Sequence, residues 1–343
     1  MFLCPTVVVA LIAAAPSALA WGNVTHSNIA RVADALLTDE ARLFVNTFLP
    51  SNETLFIAAN WADQVRSLPG FAPWSANLHF VGPLNNPPAK CGYIDDRDCK
   101  DGNCIVGAIA NYTMRASCDS GVDATQHTEA LRFIIHFLGD IAQPLHVCGR
   151  GRGGNDQNIW VDGRNVSFHS AWDVAFPEKI IATRYNGSST QYADSLVQRI
   201  QTGDFKSKTP GWISVYPYTA RNHNNNSLAA IDWATDSDEL DCSVVWPAYD
   251  ADPTQDFGGA YFESILHIVD LQIAKAGFRL ANWLDQIAVG SCKTGTLTPS
   301  ATSAETRLPT SSSSPTETLI ANRATSKSFG AMAGFLAFVA FAF

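Results

Sequence analysis

The chain is predicted to fold as a mainly α-helical single domain that carries one small β-hairpin. Three observations lead there. Apolar residues recur at three- and four-residue intervals along most of the sequence, the spacing of an amphipathic helix. Ile159-Trp160-Val161 and Val166-Ser167-Phe168, either side of Asp162-Gly163, depart from that period and resemble a hairpin around a two-residue turn. Between two ends of different character lie roughly 270 residues without an internal repeat, enough for one large core.

In chain order, the helical period marks Asn28 to Leu37, Leu55 to Val65, Ile105 to Arg115, Thr125 to Ile141, Tyr192 to Gln201, Ser227 to Asp236 and Tyr261 to Ile287. The last is the longest. Its stripe of Phe262, Ile265, Leu266, Val269, Ile273, Leu280, Trp283, Leu284 and Ile287 is that of a helix packed on a core. Pro144 ends the fourth helix just before His146. The hairpin then delivers His169 from a rigid platform.

The ends differ from the middle. Residues 1–20 hold an apolar run without a preceding Lys or Arg, and finish on Ser17-Ala18-Leu19-Ala20, which reads as a secretory signal cut after Ala20. The run is short for a membrane anchor. Residues 293–328 are dominated by Thr, Ser, Ala and Pro, a composition that buries too little apolar surface to fold and suits a glycosylated stalk. Phe329 to Phe343 form an apolar tail. A polar spacer ahead of such a tail is the pattern of a GPI-attachment signal, with Ala321 to Ala324 as candidate attachment points. The expected location is therefore extracellular, at the cell surface through a GPI anchor. Six Asn-x-Ser/Thr acceptors, at Asn23, Asn52, Asn111, Asn165, Asn186 and Asn225, agree with a secreted glycoprotein. Setting Cys4 aside with the signal leaves seven cysteines, most of which pair in an oxidising compartment. Cys99 and Cys104 bracket a short loop and are natural partners; spacing does not pair Cys91, Cys118, Cys148, Cys242 and Cys292.

The chemistry concentrates between His136 and Asp173. His136 and Asp140 are four apart, as are His169 and Asp173, so on helices each pair shares one face. His146 follows the break at Pro144. Imidazole and carboxylate suit zinc, and the cysteines are too scattered for a thiolate cage. Upstream, Trp61-Ala62-Asp63 and Leu78-His79-Phe80 offer Asp63 and His79. Removal of residues 1–20 makes Trp21 the N-terminus, whose amine and carbonyl can chelate a metal five residues from His26. The set is then Trp21, His26, Asp63, His79, His136, Asp140, His146, His169 and Asp173, enough for three ions if a carboxylate bridges. His127, His223 and His267 lack ligand-spaced partners and read as structural.

From Trp21 to about Ile287 the sequence resembles the secreted zinc-dependent single-strand nucleases of fungi and plants, the nuclease S-one and P-one family, with bacterial zinc phospholipase C as a distant relative. The likeness rests on Trp21-Gly22 with His26, Trp61-Ala62-Asp63, Leu78-His79-Phe80, Asn86-Pro87-Pro88, His136-x3-Asp140-x5-His146, Gly153-Gly154-Asn155, His169-x-x-Trp172-Asp173 and Ala274 to Leu280. It implies a helical nuclease domain over residues 21–292 with three Zn2+ ions in a cleft. Asp63, His79, His136 and Asp140 would hold the first, His146, His169 and Asp173 the second, and Trp21, His26 and the bridging Asp140 the third. It also suggests Cys91 with Cys242, beside Cys99 with Cys104.

The implied activity is that of an endonuclease and 3′-nucleotidase acting on single-stranded RNA and DNA and on 3′-mononucleotides, leaving 5′-phosphorylated products. A formal charge of −9 disfavours a protein that coats duplex DNA. Three Zn2+ ions, less three carboxylates and a hydroxide, leave about two positive charges in the cleft, enough to grip a few phosphates. The resemblance makes Asp63 the residue that orients water and Arg66, three positions on, the stabiliser of the reacting phosphate. It makes Phe80 a stacking platform for a base and Asn155 a substrate contact. Gly82 stands where the fungal members carry an acidic base reader, and Arg164 where an aromatic might complete the base clamp, so weak base selectivity is expected. Two other readings share the metal set: a phospholipase C-like enzyme, disfavoured by Asp173 and Phe80, and a non-catalytic zinc-stabilised surface glycoprotein, disfavoured by intact Asp63 and Arg66.

Overall fold

The computed structural model describes residues 21–292 with the exception of Arg221. The expected signal (1–20), stalk (293–328) and apolar tail (329–343), with Ala321 to Ala324, lie outside the described residues. Eight helices of nine or more residues are described: α1 Asn23–Leu36, α2 Asp39–Phe48, α3 Ile105–Arg115, α4 Ala124–Asp140, α5 Phe176–Arg184, α6 Ser189–Gln201, α7 His223–Leu240 and α8 Ala260–Ser291. The expected hairpin is present as β1 Asn158–Val161 and β2 Arg164–Ser167, antiparallel, with Val161 opposite Arg164. Asp162 and Gly163 at its turn have φ of 50° and 74°, the left-handed pair that a tight two-residue loop requires.

Local chemistry sets half of the helix starts. The side chains of Thr38, Asp123, Ser188 and Asn222 cap α2, α4, α6 and α7 by accepting from backbone N–H groups, satisfying donors that a helix end leaves open. Two helices escaped the periodicity reading. α2 announces itself instead by its Thr38 cap and the acidic Asp39-Glu40 first turn, which favour a helix N-terminus. α5 continues directly from a wide turn at Ala171–Ala175 and shows little amphipathic period of its own.

The stretch Leu55 to Val65 is not one helix, as the periodicity suggested, but two short pieces, Leu55–Ala58 and Trp61–Val65. The break has a cause. The Ala59 carbonyl accepts from His136 Nδ1 at 2.6 Å and so does not continue a helical ladder.

The core consists of two apolar clusters. One gathers Phe44, Ile105, Phe133, Phe137 and Trp283; the other gathers Phe168, Trp172, Trp246, Phe257 and Ile273. α8 serves both, and all of its predicted stripe is buried except Leu266, which is partly so. α1 crosses α8 so closely that a Cβ on Gly277 would fall 2.6 Å from Val32 Cγ1. The metal-ligand candidates lie where α1 and α4 meet the second cluster.

Disulfides join Cys91 to Cys242, Cys99 to Cys104 and Cys118 to Cys292. The first two are those expected. The third ties the end of α8 to the turn after α3 and leaves Cys148, buried, as the one free thiol among the described residues. No helix among the described residues is long and apolar enough to cross a membrane.

Candidate metal centre

Asp140, wholly buried at the end of α4, is the hub. Its Oδ2 lies 3.0 Å from His79 Nδ1 and 3.1 Å from His136 Nε2, and its Oδ1 lies 3.1 Å from His26 Nε2. Asp63 Oδ1 approaches the same two nitrogens at 3.7 and 3.9 Å. Donors bound ~2.0–2.1 Å from one tetrahedral ion stand roughly 3.3 Å apart, and the separations among these atoms, 3.0 to 3.9 Å, lie around that spacing. A second set forms around Asp173, with His169 Nε2 3.1 Å and His146 Nε2 3.6 Å from its carboxylate.

At three of the histidines the ring nitrogen facing away from the sets is held by backbone. His136, His146 and His169 donate from Nδ1 to the carbonyls of Ala59, His79 and Gly153 at 2.6, 2.8 and 2.7 Å, which turns each Nε2 inward. His26 enters from α1 and stacks on the His136 ring at 3.9 Å. It can do so because residue 139 is glycine; a Cβ there would stand 2.9 Å from His26 Nδ1. Trp21 is fully buried. Its indole donates to the Gly139 carbonyl at 3.0 Å, and the Gly22 amide donates to the Asp173 carbonyl at 2.9 Å, so the first described residues sit between the two sets.

The sets suit a cation. His26 Nε2, Asp140 Oδ1, His146 Nε2 and Asp173 Oδ2 are buried and face only one another's groups, with no partner outside the sets, an arrangement that costs stability unless something satisfies them. Three buried groups, His26-Asp63-His136, His79-His136-Asp140 and His146-His169-Asp173, bring one donor atom per residue close enough to hold a metal ion.

Protonation is mixed in the first set. Burial pushes the His26 and His79 imidazoles below their usual range despite the nearby Asp140. Burial acts to lower His136 too, but the Asp140 and Asp63 charges outweigh it and raise that imidazole. At His146 burial acts the same way, but the hydrogen bond and charge of Asp173, with Asp140, outweigh it and raise the imidazole to about 9. Burial would raise Asp173 too, but the charges and hydrogen bonds of His169 and His146 hold it at about 2. Asp140 is likewise held well below the carboxylate range against its burial, first by the His136 charge.

Gln143, which sequence reading passed over, and Gly153, which it quoted only within the Gly153-Gly154-Asn155 motif, complete the second set. Gln143 accepts from Leu145 N at 2.5 Å, capping the turn Pro144–Val147, and donates from Nε2 to Asp173 Oδ1 at 2.6 Å. Gly153, with φ 64°, lies so close to Leu145 that a Cβ would fall 2.4 Å from its carbonyl oxygen. The signal for Gln143 was its place just before Pro144, where a polar side chain caps the next turn.

A cleft of about 700 Å3 opens over both sets, with His79, His146 and His169 in its floor. Arg66 lines it, with Nη1 3.5 Å from Asp63 Oδ1. Phe80 is not core; 45% of it is exposed, in the cleft wall beside Gly82. Asn155, half-buried, donates to the Arg152 carbonyl at 2.8 Å and also lines the cleft. Arg164, expected near the base clamp, is exposed on β2 and does not line this cleft. Arg150 and Arg152, which the sequence reading did not single out, do.

Residues 21–289 match the S1/P1 Nuclease family. Nuclease PA3 of Penicillium sp and nuclease P1 of Penicillium citrinum are each 38% identical over 270 residues, covering 78% of this chain and 97% of theirs. Nuclease S1 of Aspergillus oryzae is 33% identical over 285 residues, covering 81% and 96%. With buried His/Asp sets beneath a cleft and the family spanning nearly all the described residues, the chain belongs to the S1/P1 nuclease family and is a hydrolytic nuclease.

Proposed function

We propose that this nuclease is a zinc-dependent endonuclease and 3′-nucleotidase that cuts single-stranded RNA and DNA to 5′-phosphorylated products. The observation that carries the reading is the pair of inward-facing donor sets at the floor of a cleft beside Arg66. Asp63, His79, His136 and Asp140 would hold one Zn2+ ion and His146, His169 and Asp173 a second. The processed N-terminus of Trp21, with His26 and Asp140 Oδ1, would hold a third. Zinc bound there supplies positive charge for an anionic phosphodiester and acidifies water.

The chain's own residues do the rest. Asp63 keeps Oδ2 buried and without a hydrogen-bond partner, free to accept a proton from attacking water and to fix its direction. Arg66, beside Asp63, presents a planar cation to charge building on the phosphate. Phe80 offers its exposed face to an unpaired base, and a paired base cannot reach it without leaving its duplex. Asn155 is a polar contact for the substrate backbone. Without an acidic side chain at Gly82, base selectivity is weak.

We further propose that residues 1–20 are removed on secretion and that residues 293–343 supply a glycosylated stalk and a GPI-attachment signal. Support comes from composition at both ends and from Trp21, whose buried indole donates to the Gly139 carbonyl beside Asp140. Of the six Asn acceptors, five are exposed and Asn225 is half-buried.

The test is hydrolysis of denatured and duplex DNA and of RNA, abolished by chelation and restored by zinc, with product ends identified. Activity on denatured substrates with 5′-phosphate ends is expected; a zinc-loaded protein inert on them rejects the reading. Phospholipase release from cells tests the anchor, which a mature peptide containing Phe343 would exclude.

A further inference from the structure

We propose that Arg152 sets the preference for polynucleotide over mononucleotide by gripping a phosphate beyond the scissile one. This rests on the single-strand nuclease reading above. Gly151, Arg152, Gly153 and Gly154 all have positive φ, at 55°, 54°, 64° and 77°, a left-handed turn in which glycine is the unstrained residue. Three of the four positions are glycine, and at each a Cβ would collide or crowd: Gly151 with the Gln157 side chain, Gly153 with the Leu145 carbonyl, Gly154 with Leu145 and the His169 amide. The turn is therefore packed against His169, which donates to the Gly153 carbonyl. Arg152 is the one residue of the turn with a side chain, held in a conformation that disfavours one, and it lines the cleft.

Its neighbour Arg150 shows the contrast. Arg150 forms two hydrogen bonds to Asp250 at 2.9 and 2.5 Å, donates to the Pro87 carbonyl and lies over the Trp246 ring at 4.1 Å, so its cation is engaged in the fold. The Arg152 side chain is 79% exposed and its ion pair with Asp156, 3.2 Å away, is exposed too. Such pairs are weak and exchange readily for a phosphate. The Arg152 carbonyl also accepts from Asn155 Nδ2, which couples this turn to the proposed substrate contact. A 3′-mononucleotide has no further phosphate to reach this guanidinium; a longer strand does.

The experiment compares the processed, zinc-loaded protein with Arg152→Gly, Arg152→Lys and, as a control remote from the cleft, Arg184→Ala. Binding of a labelled single-stranded oligonucleotide is followed by anisotropy across salt concentrations, alongside KM and kcat on that oligonucleotide and on a 3′-mononucleotide. Arg152→Gly should relieve the left-handed strain and raise Tm by roughly 2 °C. It should weaken oligonucleotide binding by about 3–10-fold and flatten the salt slope by about 0.7, the value for one phosphate contact on a single strand. The loss should fall in KM, at least threefold more on the oligonucleotide than on the mononucleotide, with Arg152→Lys intermediate and Arg184→Ala unchanged. An unaltered salt slope in Arg152→Gly, or equal losses on both substrates, overturns the proposal. A wild-type protein that binds the strand with an Arg152-dependent slope but does not cut it refutes the nuclease reading and leaves the phosphate grip standing.

Discussion

The two donor sets differ in how the chain assembles them. Asp63, His79 and His26 come from three separate segments to meet His136 and Asp140 on α4, and they are tied through one carboxylate. His146, His169 and Asp173 lie within 28 residues of one another and depend on a glycine turn and Gln143 for their geometry. The first set is thus held by the packing of whole helices, the second by local turns. The protonation shifts do not follow that division: in the first set burial lowers His26 and His79 while Asp140 and Asp63 raise His136, and in the second Asp173 raises His146.

The largest expected effect breaks the first set. Asp140→Asn removes the charge that faces three imidazoles, and turnover on single-stranded DNA should fall by about a thousandfold, with metal content lowered at more than one position. Loss of a single metal equivalent with activity kept would show that Asp140 does not bridge.

The second set should break locally. Gly153→Ala places a Cβ in a left-handed position against the Leu145 carbonyl, and should cost about 2 kcal/mol of stability. Metal should be lost preferentially from the His146 set, measured by metal analysis and denaturant melts. Loss of metal from both sets together would show that they are coupled rather than separately built.

A milder lesion is Gln143→Ala, which releases Asp173 Oδ1 but leaves every proposed ligand in place. Metal affinity of that set should weaken roughly 10–100-fold, read by chelator competition, and the Asp140 set should be unaffected.

The smallest effect is in pH dependence of the metal-free protein. Folded pKa values lowered at His26 and His79 cost stability as pH falls below about 6.5, where the unfolded imidazoles take up protons first. His146, raised to about 9, contributes stability that is complete below about 6.5 and lost as pH rises through 9. Asp173, held at about 2, contributes above about 3.9 and is lost only in stronger acid. Melting temperature of the chelated protein should therefore peak near pH ~6.5. A monotonic profile from pH 4 to 9 would contradict these opposed shifts.

The His136–Asp140 pair was legible in sequence because a helix puts residues four apart on one face, and the structure places both in α4 with nitrogen and oxygen 3.1 Å apart. His169 was legible through the hairpin before it. Gln143 was not, since a cap looks like any turn until its partner arrives, and Gly153 was marked only as part of a glycine pair, without the Leu145 carbonyl it lies against. Phe80 and Arg164 show the converse. Each residue type admitted both a buried and an exposed role, and only packing put the phenylalanine in the cleft wall and the arginine outside it.

Sequence alone therefore determined the helical class, the hairpin, the imidazole and carboxylate chemistry of the donor sets and the placing of His136 and Asp140 on one helix face, because these follow from periods of two and 3.6 residues and from residue chemistry. Tertiary structure decided what depends on distance between remote segments. It broke the Leu55 to Val65 helix so that Ala59 could hold His136, brought His26 against Gly139, paired Cys118 with Cys292, and left Cys148 unpaired. No local pattern encodes such contacts, because each is fixed by the shape that the rest of the core leaves for it.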